Sequence, residues 1–148
     1  MSFHLANINI ARFRYEPEDP RLGDFVDNLA LINGLGETSE GFVWRLKDDT
    51  GNAMALRVYD DPRIIVNMSV WTSLETLQAF AYRTEHVQFF RRWLEWFAPH
   101  AEPALALWWV PAGHIPDGRE GRDRLEHLVS HGVSAQAFTF KERFPPAG

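Results

Sequence analysis

The run Ile64-Ile65-Val66-Asn67-Met68-Ser69-Val70-Trp71 leads directly into Thr72-Ser73-Leu74-Glu75. Its β-branched residues predict a strand, and alternation places Asn67, Ser69 and Trp71 on one side of it. The next four residues read as a capping box, with Thr72 as N-cap and Glu75 three residues on, so a helix starts where the strand stops. A chain with this junction must lay a helix against its own sheet.

The other segments extend that pattern. His4 to Arg12 alternates, with Ile8 and Ile10 on one face and Asn7 and Asn9 on the other, which predicts a strand with one polar face. Asp19-Pro20 suits an N-cap followed by a proline in the first turn, and Leu22, Phe25, Val26, Leu29 and Ile32 recur at helical spacing until Gly34 and Gly36 supply a stop. Phe42 to Leu46 predicts a second strand, and Asp48 to Asn52 a turn into a short extra strand, Ala55 to Tyr59. Beyond Thr72 the helical pattern breaks near Arg83-Thr84 and resumes with Val87, Phe90, Leu94 and Phe97. Ala104 to Val110 predicts a buried strand, Arg119 to Ser130 a last helix that Gly132 can cap, and Phe138-Thr139-Phe140 an extended tail.

This order, βαββαβ plus a C-terminal helix, is that of an α+β, ferredoxin-like antiparallel sheet with helices on one face. One domain, residues 1–148, accounts for it, with a core over about 1–112 and the helix and tail over about 113–148. If the two crossover helices cover one face, the other carries Asn7, Asn9, Asn67, Ser69 and Trp71. That face is too polar for a sandwich core and too aromatic for bare solvent, which predicts a homodimer whose second copy covers it and encloses a cavity.

Composition narrows the chemistry without naming it. There is no cysteine, so disulfides, thiolate metal sites and a cysteine nucleophile are excluded. The formal charge of −5, with scattered arginines, argues against a nucleic-acid surface. No apolar run reaches the roughly 18 residues of a membrane span, and the N-terminal residues lack a leader pattern, which predicts a cytoplasmic protein. Neither a phosphate-cradling glycine loop nor a serine nucleophile elbow is present.

Several segments carry a family resemblance: Leu5-Ala6-Asn7-Ile8-Asn9-Ile10-Ala11, Gly41-Phe42-Val43-Trp44-Arg45, Ile65 to Trp71, Trp108-Trp109-Val110-Pro111-Ala112-Gly113-His114, Tyr82 to His86 and Ala137-Phe138-Thr139-Phe140. In these the chain resembles a bacterial family known as domain of unknown function 3291, over nearly its whole length. More remotely, the strand ending in Val70-Trp71 and its capped helix look like the dimeric α+β barrel superfamily, which includes antibiotic-biosynthesis monooxygenases and haem-degrading enzymes. The monooxygenases of that superfamily oxidise phenolic polyketides to quinones without a cofactor, using an Asn and a Trp on the third strand and an Arg on the next helix. Asn67, Trp71 and Arg91 resemble that set. The haem degraders use an Asn on the first strand, a Trp on the third and a helix His. Asn7 and Trp71 resemble the first two, whereas His86 stands about one turn before the position of the haem ligand.

The residues themselves support more than one role. Asn67 can stabilise an oxyanion and Trp71 can hold a flat substrate, with Asn9 assisting; equally, an Asn amide and an indole N–H can satisfy each other in a polar seam. Arg91 can meet a negative charge or lie on a solvated helix face beside Glu95, and His86 can act as a general base or a hydrogen-bonded interface residue. Asn7, Ser69, Trp44, Tyr82, Trp109 and His114 complete the candidate lining for a small hydrophobic or aromatic molecule. His127 and His131 stand one helical turn apart without the intervening Glu of a zinc protease, and no metal site is assigned to them. The leading expectation is a cofactor-independent monooxygenase; the alternatives are a haem-binding or haem-degrading enzyme and a non-catalytic dimeric binding protein.

Overall fold

A computed structural model describes residues 2–16, 18–47, 58–83, 87–88, 91–99 and 103–146. In chain order the elements are β1 (Phe3–Phe13), a 3-10 turn (Pro20–Leu22), α1 (Gly23–Glu37), β2 (Phe42–Arg45), β3 (Ile64–Trp71), α2 (Leu74–Ala81), α3 (Trp93–Trp96), β4 (Phe97–Ala98), β5 (Leu105–Pro111) and α4 (Gly118–His131). The strands form one antiparallel sheet in the order β2-β3-β1-β5, with β4 pairing the far end of β1. The α+β, ferredoxin-like expectation therefore holds. Of the predicted extra strand, Ala55 to Arg57 lie outside the described residues, and Val58 and Tyr59 are not in a strand.

Central strand β1 is covered on both faces. Ala6, Ile8 and Ile10 point to the back with Val66, Met68, Val70, Ala106 and Trp108, where α4 supplies Leu125 and Leu128. Leu5, Asn7, Asn9, Ala11 and Phe13 point to the front. There the apolar residues form two separate clusters. One gathers Leu5, Trp71, Leu74, Leu77, Leu107 and Phe138; the other gathers Ala11, Phe13, Leu22, Phe25, Trp96 and Phe97. The crossover helices α1 and α2 thus sit over the asparagine face, and only the C-terminal helix covers the opposite one.

This corrects the expectation that the asparagine face is left open. The apolar ends of β1 anchor the helices, and the asparagines lie between the two clusters, under them. The argument for a second copy covering that face loses its basis.

Three local expectations also shift. Ser73, not Thr72, caps α2: it is extended, and its hydroxyl accepts from the Thr76 N–H at 3.1 Å. Thr72 is held back because its own N–H donates to the Gly41 carbonyl at 2.8 Å, continuing the sheet by one residue. Gly34 and Gly36 lie within α1 instead of ending it; a Cβ on Gly36 would stand 3.3 Å from Phe80 Cζ, so the glycine lets the two helices approach. Phe97 is a strand residue, paired with Phe13 and stacked on its ring at 5.1 Å.

Candidate functional site

Asn9 and Asn67 face each other directly across β1 and β3 in the gap between the front clusters. Above them α1 presents Phe25, Leu29 and Asn33, whose spacing of four puts all three on one helix face. Arg45 and Leu46 close one side and Phe97 another, leaving a cavity of about 70 Å³. A water position takes roughly 10–15 Å³ on this measure, so the space matches about five waters or the head group of a small molecule. The amides of Asn9, Asn33 and Asn67 make no side-chain hydrogen bond among the described residues. Their donors and acceptors are therefore offered to whatever fills the cavity.

Arg45 reaches this site through a β-bulge. Phe42 pairs with Trp71, but Trp44 pairs with Val70 and Arg45 with Ser69, so the register slips between Phe42 and Trp44. The slip turns Trp44 to the back face, where it packs beside Val43 and Leu46, and brings Arg45 to the front. The Arg45 side chain is only 12% exposed, and its Nε donates to Glu37 Oε1 at 2.6 Å, at the end of α1. A guanidinium held this way sets a positive group at the cavity wall without leaving the charge uncompensated.

One step along the sheet lies a second polar group. The Asn7 amide donates to Ser69 Oγ at 2.7 Å and to the Ser69 carbonyl at 3.2 Å, while the Trp71 indole N–H donates to the same Oγ at 2.9 Å. Both donors are buried, Asn7 at 3% exposure and Trp71 at 1%. Trp71 is further enclosed by Phe80, stacked at 5.3 Å, and by Phe42, edge-on at 5.6 Å. The Asn7-Ser69-Trp71 set is a satisfied internal network.

Asn9 and Asn67 thus meet at one cavity, and Asn7, Ser69 and Trp71 meet beside it without lining it. The other candidates are dispersed. Trp44 is on the back face, and Trp109 packs on Phe138 with its indole N–H donated to the Phe144 carbonyl at 2.7 Å. Tyr82 is 69% exposed and Arg91 is exposed. His114 pairs with Glu120 at 2.7 Å, and Glu120 also accepts from the buried Trp108 indole, so this histidine ties the β5–α4 loop to the first turn of α4. His86 lies outside the described residues. Sequence reasoning missed Asn33, whose spacing from Phe25 and Leu29 was legible, and Arg45, whose bulge was not.

The described residues do not fit haem. The two side chains that would face it, Asn7 and Trp71, have their donors committed to Ser69, and the described cavity of about 70 Å³ is too small to take in a macrocycle. No group of three or more His, Cys, Asp or Glu side chains suited to a metal is found among the described residues.

An antiparallel sheet in this order with two crossover helices on one face defines an α+β, ferredoxin-like fold. The chain belongs to the family described as Domain of unknown function (DUF3291), whose model matches residues 4–148. No curated protein matches the sequence. A solved protein of unknown function from Nitrosomonas europaea superposes with a TM-score of 0.52 at 12% identity, covering 78% of this chain and 96% of that one. A conserved protein from Methanosarcina mazei Go1 gives 0.50 at 10% identity, covering 73% and 91%. SnoaB, a cofactor-independent oxygenase from Streptomyces nogalater, gives 0.49 at 13% identity, covering 77% and 97%. At such identities the likeness defines the fold, and the chemistry has to be argued from the site. No described helix is long and apolar enough to cross a membrane.

Proposed function

We propose that the cavity between the sheet and α1 binds a small molecule through an oxygen-bearing ring. The observation that carries this is the convergence of three amides with no side-chain hydrogen bond among the described residues, Asn9, Asn33 and Asn67, on a space otherwise walled by Phe25, Leu29, Ile65 and Phe97, with Arg45 at its side. Asn9 and Asn33 are half-buried and Asn67 opens to solvent, so their amides are accessible to an incoming group, and amides beside aromatic walls suit a flat ligand with a hydrogen-bonding edge.

Within that reading, the chemistry best matched to the site is cofactor-independent oxygenation of a phenol. Amide and guanidinium donors favour the phenolate, the electron-rich form that gives electrons to O₂. One phenol and one O₂ yield one quinone and one water, so the substrate itself is the reductant. The roles first assigned to Trp71 and Arg91 pass to Asn9, Asn33 and Arg45.

The test is a titration with 1-naphthol under air, following oxygen uptake and quinone absorbance. Asn67→Ala and Asn9→Ala are expected to weaken binding and slow turnover at least tenfold. Binding without oxygen uptake identifies a non-catalytic binding protein, and binding unchanged in both variants overturns the site.

A further inference from the structure

Charge around the cavity is distributed unevenly. Arg45 is the one ionisable side chain among the described residues that line the space; the others are the three asparagines and apolar groups. Its partner Glu37, which accepts from Arg45 Nε at 2.6 Å, is not part of the lining. The two also differ in exposure, 12% for the Arg45 side chain against 38% for that of Glu37. Water therefore screens the carboxylate more than the guanidinium, and the field inside the cavity is that of a cation.

The hydrogen-bonding groups lean the same way. An asparagine amide has two N–H donors and an oxygen with two lone pairs, so the three amides donate and accept in equal measure, whereas a guanidinium only donates. Register fixes where the cation stands. Arg45 pairs with Ser69, and Asn67 is two residues away on the same face of β3, so Arg45 and Asn67 are diagonal neighbours, roughly 7–8 Å apart at the backbone. Asn67 in turn faces Asn9. A ligand edge that reaches from the asparagine pair to the arginine presents two neighbouring oxygen groups, one to the amides and one to the guanidinium. A single phenolic oxygen does not cover both.

We infer that the ligand is an aromatic ortho-hydroxy acid, a ring bearing a carboxylate beside its hydroxyl, with the hydroxyl over Asn9 and Asn67 and the carboxylate against Arg45. This rests on the proposal that the cavity is a ligand site, and it adds the ligand's charge and second oxygen group to that reading. One guanidinium matches one negative charge, and its planar fork suits a planar carboxylate; a phosphate dianion would leave about one charge uncompensated in a partly enclosed site. Glu37 and the ligand carboxylate then share one cation, so the charge of Glu37 opposes binding of the acid.

Isothermal titration of the full chain at neutral pH with 1-naphthol, 1-hydroxy-2-naphthoate and 1-hydroxy-2-naphthamide tests this, because the last two have nearly the same shape and differ in charge. The naphthoate is expected to bind at least tenfold tighter than the naphthamide. In Arg45→Met that ratio should fall to within about threefold, although each ligand weakens. In Glu37→Gln the amide oxygen still accepts from Arg45 Nε and the opposing charge is gone, so the ratio should rise at least threefold. Glu37 is exposed at the end of α1, and this second variant is expected to keep the native circular dichroism spectrum. Equal affinities for the naphthoate and the naphthamide in the parent, or a ratio that does not rise in Glu37→Gln, overturn the inference, while 1-naphthol binding leaves the cavity standing as a ligand site. Binding of none of the three overturns both.

Discussion

Ser69→Ala removes one oxygen and leaves two buried donors to account for. Trp71 Nε1, in a residue 1% exposed, loses its 2.9 Å acceptor and has no other among the described residues. An orphaned buried donor costs about 1–3 kcal/mol. Asn7 Nδ2 loses the shorter of its two bonds but keeps the Ser69 carbonyl at 3.2 Å, so its share is about 0.5–1.5 kcal/mol. The expected loss is about 1.5–4.5 kcal/mol, a large fraction of the roughly 5–15 kcal/mol that stabilises a domain. Trp71→Phe deletes the donor along with part of the ring. Because it removes the group that Ser69→Ala orphans, the double variant should be less destabilised than the sum of the singles by about 1 kcal/mol or more. Urea denaturation followed by circular dichroism measures all four proteins. A Ser69→Ala loss below about 0.5 kcal/mol, or strict additivity, would refute the account of this network as buried and mutually dependent.

Other expectations follow from single contacts. Gly41→Ala places a Cβ at a φ of +85° and against the Thr76 side chain, so it should cost at least about 2 kcal/mol in the same assay. Gly36→Leu drives a larger group into the Phe80 ring and should cost about 1–3 kcal/mol, read as a lowered Tm. The Asp19 carboxyl, which accepts from the Arg21 side chain and backbone N–H, is held down at about 2 against its ordinary 3.8. Because the folded value is the lower one, the cap it provides persists below pH 3.8 and is lost as pH falls through about 2; carboxyl NMR should show that midpoint. Asn67→Ala, at an exposed position, should change stability by less than about 0.5 kcal/mol while weakening ligand binding, which equilibrium unfolding and a binding titration separate.

Much of the fold was legible because its signals are local. The β-branched run from Ile64 to Trp71 and the alternation of β1 predict strands that the structure contains, and Gly132 ends α4 as the sequence suggests, while its Asp117 N-cap came only from the structure. Two features were not legible, because both depend on pairing. The bulge between Phe42 and Trp44 exchanges the faces of Trp44 and Arg45, and nothing in that five-residue run marks it. The covering of the asparagine face depends on Phe25 finding Phe13, and Leu74 finding Leu5 and Trp71, contacts distant in sequence that override the polarity of Asn7 and Asn9. The site was half visible for the same reason. Asn9 and Asn67 were both placed on the polar face of the sheet, whereas Trp71 looked like a ligand contact until its indole N–H proved to be satisfied within the core.

The most direct test of the cavity as a ligand site is a ¹⁵N NMR titration of the side-chain amides with 1-naphthol. The account predicts that the Asn9, Asn33 and Asn67 amide pairs shift together and saturate at one ligand per chain, while Asn7 and the Trp71 indole move little. Shifts confined to other residues, or no movement of these three amides at saturating ligand, would contradict it.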